Sequence, residues 1–553
     1  MVNLVIVAGG LGSRLAPLTN YIPKFLVNIG KETGFVEQIR YWKQYHPDSI
    51  TVIVHSAYKD MVQAYYNMYF KGDEDLKVID PDWYMTSTPF IVKTVDEANG
   101  SAHAIFSTCW HLNDQPVLFT WCDVLPAETF DIEQLNHGGP IAFTNYDHPN
   151  RYDLMQTGTG WSQRELKIRE DGRGGIFGMY YVSTYRAQSH VDGQDFADVL
   201  GLYSTDGYVN EVKIGSIIDF GDKPKLERTR ETADGARSFN SVQMHGDLVL
   251  KSALNDQGKV LIEREIKWYS YLEGARSLVC RPSIWPSTDR TSFVMTKVKG
   301  VPIWTLWPQL DDDGRAMVLT RVFEQLDLLH NINLSVGNAV VKRDVQAEAF
   351  DKLLNRHEEI DAMIQSFGPV TWVNGQKLKN AFNPRATIGD LFERLIKFYD
   401  GVEVHQLIHG DLQMSNSMID PDTLEVTFID PRGYFGKTDT FGVADYDVAK
   451  LLYSLSGYDL FNYSKDFHLK HNGLCPETHG QWEIKFDIPQ PNLSGCSQII
   501  ADRFSEVHDL WLAVVWIGLA QYIRSDPIKM VAAHFHGLAM AERVLAGERA
   551  FTR

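Results

Sequence analysis

The most restrictive feature of this chain lies at its start. Leu4-Val5-Ile6-Val7, a β-branched apolar run, passes without a spacer into Ala8-Gly9-Gly10-Leu11-Gly12-Ser13-Arg14-Leu15. The run reads as a buried strand. A strand that empties into glycines brings its backbone close to a phosphate chain, because without Cβ atoms the N–H groups can point at oxygens. Arg14 adds a planar cation that suits phosphate. An ordinary strand-to-helix turn would use the same glycines, so both readings stay open on these residues alone. The spacing matches neither G-x-x-x-x-G-K-S/T nor G-x-G-x-x-G, which sets aside the Walker and dinucleotide loops.

A chain of 553 residues is too long for one core and predicts more than one domain. The polar, charged residues 223–235 predict a boundary between a domain at 1–230 and another at 236–553. With 44% hydrophobic and 22% charged residues, no long stretch reads as disordered. The formal charge of −18 opposes a nucleic-acid surface, which needs a basic stripe, but not a nucleotide site. Cys109, Cys122, Cys280, Cys475 and Cys496 are scattered and odd in number, so neither a disulfide framework nor a zinc site is expected, and a reducing cytoplasm fits. The start of the chain lacks the pattern of a signal peptide. The apolar run at 510–523 is too short to span a bilayer and predicts a buried helix without membrane insertion.

Nine residues after Arg14 comes Pro23-Lys24-Phe25-Leu26, and the whole stretch from Ala8 to Leu26 resembles the signature of the sugar-phosphate nucleotidyltransferases. The resemblance implies an α/β fold with a Rossmann-like mixed sheet. Ala8, Gly9, Gly10, Gly12 and Ser13 would cradle the nucleotide, with Arg14 and Lys24 as catalytic cations on the triphosphate. Glu97 and Gly100-Ser101-Ala102-His103-Ala104 resemble the segment that approaches base and ribose. Residues 117–123 read as a strand ending in Asp123, the family's place for a first magnesium ligand. Ile218-Asp219-Phe220-Gly221-Asp222-Lys223-Pro224 resembles the late D-x-G-x-P turn, making Asp219 the second. Residues 174–180 resemble the strand that closes the acceptor pocket. The family's E-K-P lysine has no counterpart; Lys167 or Arg173 could replace it.

The second half is similar to the aminoglycoside phosphotransferases and choline kinases. His409-Gly410-Asp411-Leu412-Gln413-Met414-Ser415-Asn416 is an H-G-D-x-x-x-x-N loop, and Thr427-Phe428-Ile429-Asp430-Pro431-Arg432-Gly433 follows. The resemblance implies a two-lobed, protein-kinase-like α+β domain. Asp411 would accept the proton of the substrate hydroxyl, and Asn416 and Asp430 would hold magnesium. Lys251, on a strand, and Glu265, on a helix, are the expected ion pair for ATP phosphates, with Glu263 as a rival. Met295, in Phe293-Val294-Met295-Thr296, is the expected adenine hinge. Asp447 is expected to brace the catalytic loop. Gly235-Ala236-Arg237-Ser238 stands where a glycine-rich loop would be. A second H-G-D-L at 245–248 lacks the asparagine and reads as a hairpin turn. Arg432 is expected to pair with a neighbouring carboxylate, the alternative being substrate.

Both halves together imply magnesium at two sites, ATP, and a second nucleoside triphosphate (CTP, UTP or GTP). The expected bifunctional enzyme phosphorylates a small hydroxyl substrate, a sugar, and converts the product into a nucleotide-activated precursor of surface or capsule polysaccharide. Choline or ethanolamine, giving a CDP-alcohol, is the alternative; a nucleotide-binding pseudoenzyme or scaffold is another. The expected partners are small molecules, and homo-oligomerisation is left open.

Overall fold

The computed structural model describes residues 2–71, 73, 76–78, 88–97, 99–136, 139–145, 152–157, 160–165, 175–188, 194–204, 209–232, 240–274, 279–472 and 482–550. The chain divides into two compact units. One is Met1–Asp234 with Ala362–Phe367 and Ser525–Pro527; the other is Gly235–Asp361 with Gly368–Arg524 and Ile528–Arg553.

The first unit carries β1 (Asn3–Ala8), β2 (Ser49–His55), β3 (Leu76–Val78), β4 (Thr88–Val95), β5 (Val117–Trp121), β6 (Val124–Pro126), β7 (Ile141–Asn145), β8 (Tyr152–Thr157), β9 (Gly160–Glu165), β10 (Gly175–Val182), β11 (Asn210–Lys213) and β12 (Ile217–Asp219). Ten of these form one sheet in the order β11-β7-β10-β5-β1-β2-β4-β3, with the β8/β9 hairpin beside β10. The strands from β5 to β3 run parallel, and β10 is antiparallel to β5 and β7. This is the mixed sheet expected. Leu4, Val5 and Ile6 are fully buried because β1 is central, which is why its sequence is continuously apolar rather than alternating. Gly34–Lys43 is an amphipathic helix capped by the Thr33 side chain; it buries Phe35, Val36, Ile39 and Trp42. β1 and β5 end side by side, Val7 opposite Trp121, so the residues that follow them share one rim of the sheet. Loops beyond the carboxyl ends of such strands are where open α/β sheets bind ligands.

Residues 223–232, within the stretch read as a boundary, form the helix Lys223–Thr232, which brings Lys225 to Asp219. Residues 167, 169 and 173, Gly174, and the loop Gly235-Ala236-Arg237-Ser238 lie outside the described residues.

The second unit opens with a four-stranded antiparallel sheet of β13 (Asn240–His245), β14 (Leu248–Ala253), β15 (Ile284–Pro286) and β16 (Ser292–Thr296), in the order β13-β14-β16-β15. The helix Asp256–Gly274 connects β14 to β15. A helical lobe follows, including Asp312–His330, Ala444–Leu455, Glu506–Tyr522 and Pro527–Leu545. A π-helical turn, Ala347–Asp351, interrupts the run between Asn338–Gln346 and Lys352–Gln365. The apolar run at 510–523 is buried helix, as expected. Among the described residues no helix is long and apolar enough to cross a membrane. Cys109, Cys122, Cys280 and Cys496 are free thiols; Cys475 lies outside the described residues.

Candidate functional sites

The loop after β1 is held in place by its own sequence. Gly12 has φ +68°, a left-handed conformation that glycine adopts without a Cβ penalty, and its carbonyl accepts a 2.8 Å bond from Thr19 Oγ1. Gly10 and Arg14 are exposed, and a Cβ on Gly10 would meet nothing within 4 Å, so the loop presents open backbone. Across the rim, Gly100 has φ +88° and caps the helix Ser101–Thr108. A Cβ on Gly100 would lie 2.4 Å from the Gln194 carbonyl, which leaves room for glycine alone. Ser101 Oγ donates to Asp195 and accepts from the Phe196 amide, fixing the start of that helix.

Lys24, Asp123 and Asp219 converge although they come from three parts of the sequence. β5 ends at Trp121, and the turn that follows it presents Asp123. The β6/β12 ribbon sets Asp219 opposite Val124, one residue beyond Asp123. Lys24 Nζ makes an ion pair with Asp123 Oδ2, and both side chains are buried. A Cβ placed on Gly221 would lie 3.0 Å from Asp123 Oδ2, 3.0 Å from Asp219 Oδ1 and 3.5 Å from Lys24 Nζ. The two carboxylate oxygens are therefore no more than twice 3.0 Å apart, around a hollow kept by the missing side chain. Burial pushes the Asp123 carboxyl up, but Lys24 and then Arg14 outweigh it and hold it below the usual carboxylate range. Asp219 also receives the Gly221 amide at 2.8 Å and Lys225 Nζ at 2.7 Å. Two carboxylates facing one hollow fit a hard divalent cation that takes its remaining oxygens from phosphate and water. No group of three or more His, Cys, Asp or Glu side chains placed to hold a metal occurs among the described residues, so phosphate oxygens would have to complete the set.

The second constellation is built around Lys251. Its Nζ lies 2.5 Å from Glu265 Oε2 and 2.6 Å from Asp430 Oδ1. Glu265, not its rival Glu263, thus meets the strand lysine. Burial alone would lower the Lys251 ammonium; Glu265 and Asp430 outweigh it and raise it. Met295 lies opposite Val249 and Ile284 in the sheet, so its buried side chain shares the face of Lys251, two residues from Val249. Its backbone sits within the ladder between β14 and β15. The second H-G-D-L is the β13/β14 hairpin turn, with Gly246 at φ +63°.

Around Asp411 nearly every polar group is engaged. Buried Asp447 accepts the His409 and Gly410 amides, each at 2.7 Å, and meets His330 Nε2 at 3.2 Å. It braces the loop as expected. Asn416 donates its amide to the Asp411 carbonyl at 2.9 Å, and the Ile429 amide donates to the Asn416 backbone carbonyl at 3.0 Å. That bond places Asn416 beside the Asp430 turn, where Asp430 adopts φ +58°. With its NH₂ group committed to Asp411, the side-chain carbonyl is the group that Asn416 would offer a cation. Lys450 Nζ lies 2.7 Å from Asp411 Oδ1, and Gln413 Nε2 lies 3.0 Å from it. Burial pushes the Asp411 carboxyl up; Lys450 outweighs it and keeps it ionised. Arg432 pairs with a carboxylate, through Nη1 and Nη2 at 2.8 and 2.6 Å from Glu348.

Three of these partners were not legible in the sequence. Lys225 falls inside the stretch read as a boundary. Lys450 follows Asp447 by one helical turn and carries no motif. Glu348 sits on the π-helical turn, 84 residues from its partner.

Comparison with known proteins matches each half of the chain to a family. Residues 3–135 match the nucleotidyl transferase family, and residues 230–459 match the phosphotransferase enzyme family. Among solved structures, a glucose-1-phosphate thymidylyltransferase from Bacillus anthracis in complex with a sucrose is 18% identical, over 43% of this chain and 97% of that chain, with a TM-score of 0.35. The inositol-1-phosphate CTP transferase from T. maritima is 13% identical, over 43% and 98%, with a TM-score of 0.32. No curated protein matches the chain. The chain is a bifunctional enzyme that joins a nucleotidyl transferase domain to a domain of the phosphotransferase enzyme family.

Proposed function

We propose that the kinase half phosphorylates a hydroxyl of a small sugar with ATP, and that the nucleotidyltransferase half joins the product to a nucleotide. The single observation that carries this reading is that both acidic centres are complete within one chain. Lys24, Asp123 and Asp219 surround one hollow, while Lys251, Glu265, Asp430, Asn416 and Asp411 form the other.

In the kinase half, Asp411 accepts the proton of the attacking hydroxyl, held in position by Lys450 and Gln413. Lys251 orients the ATP phosphates, and Glu265 holds Lys251. In the other half, Arg14 and Lys24 bind the triphosphate, and the Gly9 to Gly12 backbone closes on it. The new phosphate then attacks the α-phosphorus and pyrophosphate leaves. Asp123 with Asp219, and Asp430 with Asn416, would each hold magnesium, which would neutralise charge on the transferring phosphates. Positioning supplies most of the remaining catalysis. The product is a nucleotide-activated sugar of the kind consumed in surface polysaccharide synthesis.

The test uses purified full-length protein with each of the four nucleoside triphosphates and a panel of sugars and amino-alcohols. ADP and pyrophosphate are read separately. A sugar that yields ADP first and then, with CTP, UTP or GTP, pyrophosphate is the expected outcome. ADP from choline or ethanolamine and none from sugars would replace it with the CDP-alcohol reading, and no product from either half would leave a scaffold.

A further inference from the structure

Beside the catalytic loop of the kinase half, three cations gather around one aromatic ring. The Arg432 guanidinium carbon lies 3.8 Å from the centre of the Tyr434 ring, that of Arg264 lies 4.4 Å away, and Lys352 Nζ lies 5.8 Å away. They come from separate elements: the turn after Asp430, the helix Asp256–Gly274, and the first residue after the π-helical turn. One carboxylate serves two of them. Glu348 takes both Arg432 nitrogens, and its Oε1 also receives Lys352 at 2.7 Å and the Tyr446 hydroxyl at 3.1 Å. Arg264 has Asp439 at 3.6 Å, but Asp439 is held closer, at 3.0 Å, by Lys267.

Positive charge is thus in excess here, in a protein whose formal charge is −18. Burial, and then the nearby Arg432, push the Lys352 ammonium down to about 7 although Glu348 pulls it back up. The cluster is not sealed, since the Arg264 and Lys352 side chains keep 32% and 24% of their exposure. It also adjoins the reacting group. A Cβ on Gly410, the neighbour of Asp411, would lie 3.0 Å from Arg432 Cβ. Lys251 and Asp430, which take the nucleotide, occupy their own pair.

We propose that Arg264, Lys352 and Arg432 form a subsite for an anionic group, a carboxylate or a phosphate, carried by the alcohol that the kinase half phosphorylates. The inference rests on the kinase reading above and narrows its acceptor to sugar acids or sugar phosphates. Planar guanidinium groups suit either anion, and the ring keeps both from collapsing onto solvent.

The test has a binding arm and a turnover arm, both with the full-length protein. With magnesium and a non-hydrolysable ATP analogue saturating, inorganic phosphate and, separately, acetate are titrated by calorimetry into wild type, Lys352→Met and Arg264→Gln. Each variant should weaken binding of the preferred anion about ten- to hundred-fold, the effect of losing one charge-assisted bond. Phosphate favoured over acetate points to a phosphorylated acceptor, and the reverse to an acid. In the turnover arm, ADP formation is measured with neutral sugars, amino-alcohols, sugar acids and sugar phosphates. Anionic acceptors should be preferred, with their KM raised in Lys352→Met while the KM for ATP stays put. Anion binding unchanged in both variants, or a neutral sugar used as well as its acid, would overturn the proposal. ADP from none of the alcohols, with anion binding still lost in the variants, would instead retire the kinase reading and leave the anion site standing.

Discussion

Replacing Gly221 by alanine tests the first acidic centre without touching a charged group. The added methyl carbon would stand 3.0 Å from Asp123 Oδ2 and 3.0 Å from Asp219 Oδ1. Contacts that tight force a few tenths of an ångström of movement, and overpacking of this kind costs about 1–3 kcal/mol. Domains typically hold about 5–15 kcal/mol, so the variant should fold. Asp123 and Asp219 would hold a magnesium ion in the hollow that the methyl group enters, so ion and methyl would compete for it. Misplacing reacting groups by about 1 Å can cost about a hundredfold in rate. Pyrophosphate release by Gly221→Ala should therefore fall, by up to about that factor, and need more magnesium, while acceptor-dependent ADP formation is unaffected. Pyrophosphate and ADP are followed in parallel, with circular dichroism melting to verify folding. Pyrophosphate release at the wild-type rate, with the wild-type magnesium requirement, would refute the shared-cation reasoning.

Four more outcomes are expected. Asp411→Asn should lower ADP formation by about 10²–10⁴-fold with nucleotide binding intact, whereas Asp430→Asn should weaken nucleotide binding as well, and Asp247→Asn should change neither; calorimetry plus steady-state rates separate them. Glu348→Gln leaves Arg432 buried without its carboxylate and should destabilise the fold by about 3–5 kcal/mol in urea unfolding; an unchanged midpoint would mean the pair contributes nothing. His534 is buried with no hydrogen-bond partner on either nitrogen among the described residues, and burial and then His357 push it down to about 3. Because its folded value is depressed, protonation favours the unfolded chain, so stability should fall below about pH 6.5 by up to about 1.4 kcal/mol per pH unit, and His534→Phe should flatten that slope. Residues 1–230 and 236–553 expressed separately should each retain one activity; inactivity of both halves would refute independent domains.

How much the sequence alone revealed differs between the two centres for a physical reason. The strand and loop from Leu4 to Arg14, the H-G-D loop at 409–416 and the turn at Asp430 are local: each is a short stretch whose backbone and side chains are set by neighbours in sequence. Resemblance of such short motifs to known families was enough to find them. The choice between Glu263 and Glu265 was not local, because both lie on one helix and only its packing on β14 decides which faces Lys251. Met295 was expected at the hinge from the kinase resemblance; that its strand is flanked on both sides, by β14 and β15, only the tertiary structure shows.

Local pattern also established that there are two catalytic halves, and the pairs of long sequence separation were settled only by the tertiary structure. Lys24 and Asp123 are 99 residues apart, and Lys251 and Asp430 are 179 apart. Motif order suggested these residues, but not that each lysine would meet its carboxylate. Lys225, Lys450 and Glu348 carry no motif at all. A charged side chain on a helix looks the same in sequence whether it faces water or a buried partner, because only the packing of distant elements sets the solvent it sees. That packing turns an ordinary glutamate on a π-helical turn into the counter-ion of Arg432, and leaves more cations than carboxylates beside Asp411.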